Sequence, residues 1–338
     1  MIISRHVPLI TATAIALVGS LLAVEGVAQT NDQSCLVDAL ADADDSATVG
    51  ELRALCREQV SADVPAPDTE QVPAFERSAI EERLASEEVG KDRPFLFTAH
   101  QPNYLLASAY DPNVAPYLPI EPTAMLDDSE MMFQLSIKAP IWQNVFGSNI
   151  DAYFAYTTKS YWQLFNDDFS APFRETNYQP ELFLRSVTKR KFLGIDMFGW
   201  DLGLVHESNG RAEPLSRSWN RVMGRAGLQL TDDLALAARA WWRVPEDEED
   251  DNNPNEYRYY GYGDVRAIWT PNRNTFTAML RPGTQEFSYE LTWSHPISSI
   301  FRIYALYYNG YGESLIDYDY KSERFAIGIA LNDFLISN

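Results

Sequence analysis

The sequence is poor in the patterns that most often reveal a binding or catalytic site. It has two cysteines in 338 residues, and they do not form a C-x-x-C pair. It also has no glycine-rich phosphate loop and no H-E-x-x-H motif, so the common nucleotide, redox and zinc sites are not indicated. Beyond its first 28 residues the chain lacks any run of about 20 apolar residues, which a membrane-spanning helix requires.

Basic residues are scarce, with 27 Lys and Arg against 48 Asp and Glu and a formal net charge of −21. This balance argues against nucleic acid as a partner, because phosphate binding needs clustered positive charge. Many acidic residues lie in residues 29–93 and in the run EDEEDD at 246–251. We interpret that run as a solvated surface loop. A calcium-binding role stays open, although the alternating ligands and the glycine of a dedicated calcium loop are missing.

The first 28 residues predict a secretory signal peptide. Arg5 precedes an apolar core, and small residues lead to a plausible cleavage site after Ala28. The alternative is an uncleaved anchor helix. Export to an oxidising compartment would favour a disulfide between the two cysteines of the chain.

The residues between the cysteines predict a small helical hairpin. Apolar residues on either side of a polar turn lie between Cys35 and Cys56, so we expect a cystine-closed hairpin over residues 29–60. Residues 61–93 are rich in Pro, Glu, Asp, Ala and Ser and predict an acidic linker. We expect this whole extension to be helical or disordered and to lie in the periplasm.

From residue 94 onward, short runs of alternating apolar and polar residues dominate. The clearest are EFSYELTWS at 286–294 and RFAIGIALN at 324–332, and each puts its apolar side chains on one face of a strand. A soluble sandwich would rarely place arginine and glutamate on an inward face. A barrel with a lipid-facing apolar surface and a polar interior explains the pattern better.

We therefore predict an all-β fold, a twelve-stranded antiparallel transmembrane β-barrel over residues 94–338 in the outer membrane. An even strand number is the rule for bacterial barrels of a single chain. The predicted strands are approximately 95–108, 130–140, 149–163, 178–188, 197–208, 217–230, 233–244, 256–270, 273–281, 285–295, 299–310 and 321–334. Aromatic residues near their ends suit interfacial girdles, and include Tyr161, Trp162, Trp200, Trp219, Trp269 and Tyr307.

The stretch VHESNGRAEPLSRSWNR at 205–221 carries the candidate chemistry. On a strand, His206 and Ser208 share the face of Leu202 and Leu204, so they would face outward at the membrane boundary, where a lipid ester can reach them. Serine needs an imidazole to take its proton, and the imidazole needs a third group to orient it. Asn220 on the next strand can orient the ring without a full charge against lipid. A histidine and a serine two apart are also compatible with an incidental placement.

Four stretches resemble the outer membrane phospholipase A family, whose members are calcium-dependent lipases activated by dimerisation. They are HESNGRAEPLSRSWNR at 206–221, PFRETNYQPELF at 172–183, NGYGESLIDY at 309–318 and LNDF at 331–334. The resemblance covers residues 95–334 in order. It implies hydrolysis of the A1 and A2 acyl esters of glycerophospholipids and lysophospholipids, in the outer membrane.

The resemblance also implies a role for individual residues. It makes Ser208 the nucleophile, His206 the general base and acid, Asn220 the group that orients the imidazole, and Gly210 a main-chain donor of the oxyanion hole. It implies a Ca²⁺ site formed by the Arg211 carbonyl, the Ser216 side chain and Ser170 of a second subunit, so that the active form is a homodimer. Read without the family, the glycine and the two serines are compatible with ordinary turns and the arginine with a surface position.

Two departures from the family pattern are visible. The family tends to carry a glutamine that forms hydrogen bonds across the dimer, and Thr158 stands at the matching position; the chain also ends LNDFLISN rather than on an aromatic residue. Two other functions stay open. One is a non-enzymatic barrel, a pore or structural protein, and the other is a catalytically altered relative in which the cystine hairpin is the functional module.

Overall fold

The computed structural model describes residues 97–112, 126–167 and 172–333, together with Arg83. The predicted signal peptide, the cystine hairpin and nearly all of the acidic linker lie outside the described residues, as does Ser170. Within these three ranges, no helix has the length and apolar character needed to cross a membrane. The strands in these ranges form one closed antiparallel sheet.

Twelve strands, β2 to β13, form the barrel, and a two-residue strand, β1, pairs with Ile137 and Lys138 in β3. The bounds are β1 Thr98–Ala99, β2 Asn103–Tyr110, β3 Ser129–Trp142, β4 Asp151–Trp162, β5 Phe173–Phe192, β6 Ile195–Ser208, β7 Ser218–Thr231, β8 Leu234–Arg243, β9 Gly263–Trp269, β10 Thr275–Pro282, β11 Phe287–Pro296, β12 Arg302–Tyr311 and β13 Lys321–Asn332. Each strand pairs antiparallel with the next along the chain, and β13 pairs with β2 to close the sheet. The predicted twelve-stranded barrel is confirmed.

The alternation that predicted the strands also sets their faces. Along β13 the side chains of Phe325, Ile327 and Ile329 are 39 to 50% exposed, whereas Ala326 and Ala330 are buried. β11 follows the same rule, with apolar side chains outside and Ser and Thr inside. The outer surface is therefore an apolar band suited to lipid, and closure of the sheet pairs its edge strands within that band.

The interior is packed with paired charges and aromatic rings. Arg324 is 1% exposed, and its guanidinium lies 2.7 Å from Glu313, 3.0 Å from Glu130 and 3.4 Å from Asp111. The Tyr161 hydroxyl donates to the Glu313 carbonyl over 2.8 Å. Because an unpaired charge in such an interior would be costly, this network stabilises one arrangement of the strands.

The loop after β12 turns into the barrel end. Leu315, Ile316 and Tyr318 are at most 8% exposed, and the Leu315 amide donates to Asn177 Oδ1 over 3.1 Å. Most of the longer connections lie at this end, whereas turns of two to five residues join most of the strands at the other. In bacterial barrels the longer loops are extracellular.

Three predicted strands differ from the observed ones. Within the predicted 95–108, the described residues form strand only at Thr98–Ala99, which pairs with β3, and from Asn103 onward. The predicted 178–188 is part of β5, which is 20 residues long. The predicted 256–270 becomes strand only at Gly263, because Asn255 has a positive φ of 66° and Glu256–Arg258 form a 3-10 turn. Glu256 is 2% exposed. In this turn the side chains do not alternate between the two faces of a sheet, so the sequence pattern cannot show where the strand begins.

Two of the expected girdle aromatics are interior residues. Tyr161 and Trp219 are 0 and 1% exposed, so both belong to the packed barrel interior. Trp269 is 47% exposed, and its ring centre lies 5.5 Å from that of Phe276 on the outer surface. Position near a strand end does not separate the two cases, because girdle and interior aromatics differ only in the face that they occupy.

Candidate active site

The β6–β7 hairpin holds the predicted catalytic residues. His206 pairs directly with Asn220 in the strand register, and Ser208 pairs with Ser218. Leu202 and Leu204, on the same face of β6, are 50 and 58% exposed. The expected outward, lipid-facing placement of the histidine and the serine agrees with this exposure.

Interior contacts fix the backbone between the histidine and the serine. Glu207, which separates them in sequence, points inward, where Arg221 Nη2 donates to its carboxylate. The Trp219 Nε1 donates to the same carboxylate over 3.1 Å, and the Arg221 guanidinium lies 3.7 Å from the centre of the Trp219 ring. A charge-assisted hydrogen bond and a cation–π contact on the inward face therefore hold the strand segment that carries the outward site.

The imidazole of His206 is hydrogen-bonded to the side chain of Asn220. Its Nδ1 lies 2.9 Å from Asn220 Oδ1, and the Asn220 main-chain carbonyl accepts from the Val244 amide over 2.8 Å. An amide oxygen can only accept, so this contact requires the proton to be on Nδ1. Nε2 then keeps its lone pair, which is the form that can take a proton from a serine hydroxyl.

Asn209 organises the loop at 209–217 that follows Ser208. Its Oδ1 accepts from the amides of Arg211 and Arg217, over 3.2 and 3.0 Å. Its Nδ2 donates to the Leu215 carbonyl over 2.9 Å, and the side chain is 5% exposed. One buried amide thus ties three points of the loop together and fixes the loop relative to the serine.

Gly210 occupies a conformation that suits no other residue well. Its φ is +65°, and a Cβ built at this position would meet the ring of Tyr178 at 3.3 Å. Both facts favour glycine, because L side chains disfavour the left-handed region. The main chain at Gly210 is therefore held close to the serine by geometry that a side chain would disturb.

The oxygens expected to bind calcium lie on the same loop. The Arg211 side chain turns towards β5, where its Nη2 donates to the Arg174 carbonyl and its Nε lies 3.2 Å from Glu175. Ser216 Oγ accepts from Asn252 Nδ2 over 3.0 Å. A carbonyl and a hydroxyl are oxygen ligands of the kind that Ca²⁺ accepts, and a hydroxyl that accepts from Asn252 keeps a second lone pair.

The charge at this loop is low for a tight metal site. Among the residues that the structure describes, no group of three or more His, Cys, Asp or Glu could hold a metal ion. Neutral oxygens from Arg211 and Ser216 would give a weak site alone, which fits a site completed by other ligands. Ser170, predicted to supply one from a second subunit, lies outside the described residues.

The outer surface joins Ser208 to Thr158 in one row across the sheet. Leu135 pairs with Thr158, Thr158 with Tyr178, and Tyr178 with Ser208 in consecutive strands. At about 4.8 Å per strand, the threonine lies roughly 10 Å from the serine. Leu135 and Tyr178 are 50 and 38% exposed. The position matched to the family's glutamine therefore lies beside the candidate site.

The chain is similar to known proteins over most of its length. The sequence model of the family described as phospholipase A1 matches residues 80–331. The chain is 37% identical over 245 residues to phospholipase A1 of Klebsiella pneumoniae, which covers 72% of this chain and 84% of that protein. Outer membrane phospholipase A from Escherichia coli superposes with a TM-score of 0.69 at 32% identity, covering 76% of this chain and 98% of that one.

The chain belongs to the phospholipase A1 family. It is an outer-membrane phospholipase with the barrel of that family, so the predicted family, fold and localisation are confirmed. A second solved structure, from Salmonella typhi, has a TM-score of 0.68 at 31% identity and is an outer membrane phospholipase dimer with bound calcium.

In this phospholipase A1 relative, six of the seven predicted site residues lie at one end of the β6–β7 hairpin; only Ser170 falls outside the described residues. Sequence reasoning missed three neighbours. Asn209 carried a usable signal, since asparagine before glycine commonly accepts from the amide two residues on. Asn252 and Glu246, which contact Ser216 and Asn220, come from the loop after β8 and are distant in sequence. Only the strand order brings that loop to the hairpin.

Proposed function

We propose that this outer-membrane phospholipase hydrolyses both the A1 and the A2 acyl esters of glycerophospholipids, and the ester of lysophospholipids, by a Ser-His-Asn mechanism. The observation that carries the proposal is the 2.9 Å contact between His206 Nδ1 and Asn220 Oδ1, on the lipid-facing strand surface that also presents Ser208. A lipid ester approaching from the outer leaflet meets this surface directly.

In the first half of the reaction, His206 Nε2 takes the proton of Ser208 as Oγ attacks the ester carbonyl. The Asn220 oxygen keeps the ring in the productive tautomer and stabilises the imidazolium that forms. His206 then gives the proton to the leaving alcohol, which departs as a lysophospholipid and leaves an acyl-serine. Water, activated by the same imidazole, attacks this ester, and a fatty acid is released.

The negative charge on the carbonyl oxygen needs donors held in place. The Gly210 amide is our candidate, because its backbone conformation and the Asn209 bonds hold that segment beside the serine. The Arg211 carbonyl and the Ser216 hydroxyl, with Ser170 of a second copy, would hold Ca²⁺. When bound there, calcium supplies positive charge beside the developing oxyanion.

We infer that the active form is a homodimer. The row from Ser208 to Thr158 supports this, because a second barrel seated on that apolar surface would lie beside the nucleophile. The Salmonella typhi relative, a dimer with bound calcium, has the same fold. A ligand supplied by the second copy would make hydrolysis depend on dimerisation, so that isolated barrels in an intact membrane stay inactive.

No described feature favours the alternative of a pore. The interior is crossed by the Arg324 network, and the loop carrying Leu315 and Ile316 packs into one end of the barrel. A pore would also gain nothing from a histidine and an asparagine bonded on its lipid-facing surface.

The test is release of fatty acid from phospholipids labelled at either acyl position, in detergent micelles. We expect Ser208→Ala to abolish release from both positions, and chelation of calcium to abolish it in the wild type. The matched control is Ser218→Ala, a serine paired with Ser208 in the strand register, which should stay active. Hydrolysis that persists in Ser208→Ala contradicts the nucleophile, and hydrolysis that survives chelation contradicts the calcium requirement.

A further inference from the structure

The acidic run at 246–251 reaches the active site through its first residue. Glu246 Oε1 lies 3.1 Å from Asn220 Nδ2, and its Oε2 lies 3.3 Å from Arg243 Nη2. The Glu246 side chain is 18% exposed, whereas Glu248 and Glu249 in the same loop are exposed. The loop is tied to the hairpin at the same point by the Val244 amide, which donates to the Asn220 carbonyl. Asn220 is thus held from both its main chain and its side chain.

A carboxylate at this position decides which way the asparagine amide points. An ionised carboxylate only accepts hydrogen bonds, so it must face the NH₂ group of Asn220. The amide oxygen is then turned to His206, where it requires a proton on Nδ1. A reversed amide would present NH₂ to Nδ1 and favour the opposite tautomer, in which Nε2 carries the proton and cannot act as a base.

The carboxylate also places negative charge near the histidine without putting it in lipid. In a Ser-His-Asp triad the aspartate both orients the imidazole and stabilises its protonated form. Here the group in contact with the ring is neutral and exposed, and the charge lies one hydrogen bond further away, in the loop and paired with Arg243. That position avoids the cost of an unpaired carboxylate on the membrane surface.

We propose that Glu246 is a positioning residue of the active site, which orients the Asn220 amide and thereby selects the Nδ1-protonated tautomer of His206. The proposal rests on the proposed Ser-His-Asn mechanism. Through Glu246 alone, the acidic run at 246–251 would contribute to catalysis, and the loop after β8 would be part of the hydrolytic site.

The first measurement is steady-state hydrolysis of micellar phospholipid by three variants. Glu246→Ala removes the acceptor, and we expect kcat to fall about tenfold to a hundredfold with KM unchanged. Glu246→Gln keeps an acceptor oxygen without the charge and should retain more activity than Glu246→Ala. Glu248→Ala is the matched control, because it removes the same charge from the same loop and should match the wild type.

The second measurement reads the tautomer directly by ¹⁵N NMR of histidine-labelled protein in micelles, with the His206 signal assigned by its loss in His206→Gln. We expect a protonated Nδ1 in the wild type and in Glu248→Ala, and a shift towards protonated Nε2 in Glu246→Ala. The signals of His100, in the barrel interior, and His295, near the opposite end, show in the same spectrum whether the variant is folded.

The outcomes separate the two proposals. If Ser208→Ala hydrolyses phospholipid, the mechanism itself fails, whatever Glu246 does. If Ser208→Ala is inactive but Glu246→Ala stays within about twofold of Glu248→Ala, raises only KM, or keeps the wild-type tautomer, the role of Glu246 is overturned. A lower kcat together with the changed tautomer supports it.

Discussion

Replacing Asn209 by alanine should impair hydrolysis although this side chain touches no substrate. The substitution removes three hydrogen bonds to the main chain, at Arg211, Arg217 and Leu215. At about 1 kcal/mol net for each bond, the loop loses roughly 3 kcal/mol of preference for its catalytic conformation. Because about 1.4 kcal/mol corresponds to a tenfold change in rate, we expect kcat/KM to fall roughly a hundredfold.

The assay is fatty-acid release from micellar phospholipid at saturating calcium. Asn209→Asp keeps the oxygen that accepts from the two amides and loses the Nδ2 donations to the Leu215 carbonyl and, over 3.5 Å, to Glu175, so it should be less impaired than Asn209→Ala. Asn274→Ala is the control, because Asn274 accepts from Trp293 Nε1 and contacts His295 Nδ1 at the other end of the barrel. If Asn209→Ala hydrolyses as fast as Asn274→Ala, the loop does not depend on this residue.

Three further predictions concern the same end of the barrel. Gly210→Ala forces a left-handed alanine against Tyr178, a strain of about 1 to 2 kcal/mol, so kcat should fall about tenfold and the melting temperature in detergent should fall by only a few degrees. Thr158→Gln should tighten the dimer, because two symmetry-related hydrogen bonds of about 0.6 kcal/mol each lower its Kd roughly tenfold. Energy transfer between labelled copies measures this Kd, and an unchanged value would mean that the interface lies elsewhere. Burial raises the pKa of the Glu256 carboxyl from 4.5 to about 8, so the folded loop binds this proton more tightly than the unfolded chain does. The stabilisation of the folded loop by this proton is complete below about pH 4.5 and is lost as the pH rises to about 8. Hydrogen exchange of the loop after β8, corrected for its intrinsic rate, should therefore become faster over this pH range in the wild type and not in Glu256→Gln.

The strands and their faces were accessible from the sequence because one physical rule governs them. Lipid outside and a polar interior impose a period of two, and runs such as RFAIGIALN report it without knowledge of the neighbours. The rule fails where the chain leaves the sheet, as at the turn before β9. It holds where both faces are aromatic, because Trp242 shares the outward face of Leu236 and is 57% exposed, whereas Trp241 on the inward face is 7% exposed.

The site was accessible only in part. His206, Ser208 and Asn220 could be read from one hairpin, because strand pairing links them locally. The residues that complete their surroundings come from elsewhere in the chain, and their contacts depend on the path of a loop rather than on a period. The run at 246–251 shows the limit most clearly, since composition marks it as solvated and a single hydrogen bond ties it to Asn220.

The most direct test of the account is covalent trapping of the nucleophile with a sulfonyl fluoride in active, calcium-loaded protein, followed by tryptic mass spectrometry. Ser208 is the only serine in the tryptic peptide at 192–211, so an adduct on that peptide identifies the residue without ambiguity. We predict that loss of activity parallels labelling of this peptide, and that His206→Gln slows both. Complete inactivation with the label on another peptide would contradict the assignment of Ser208 and, with it, the proposed mechanism.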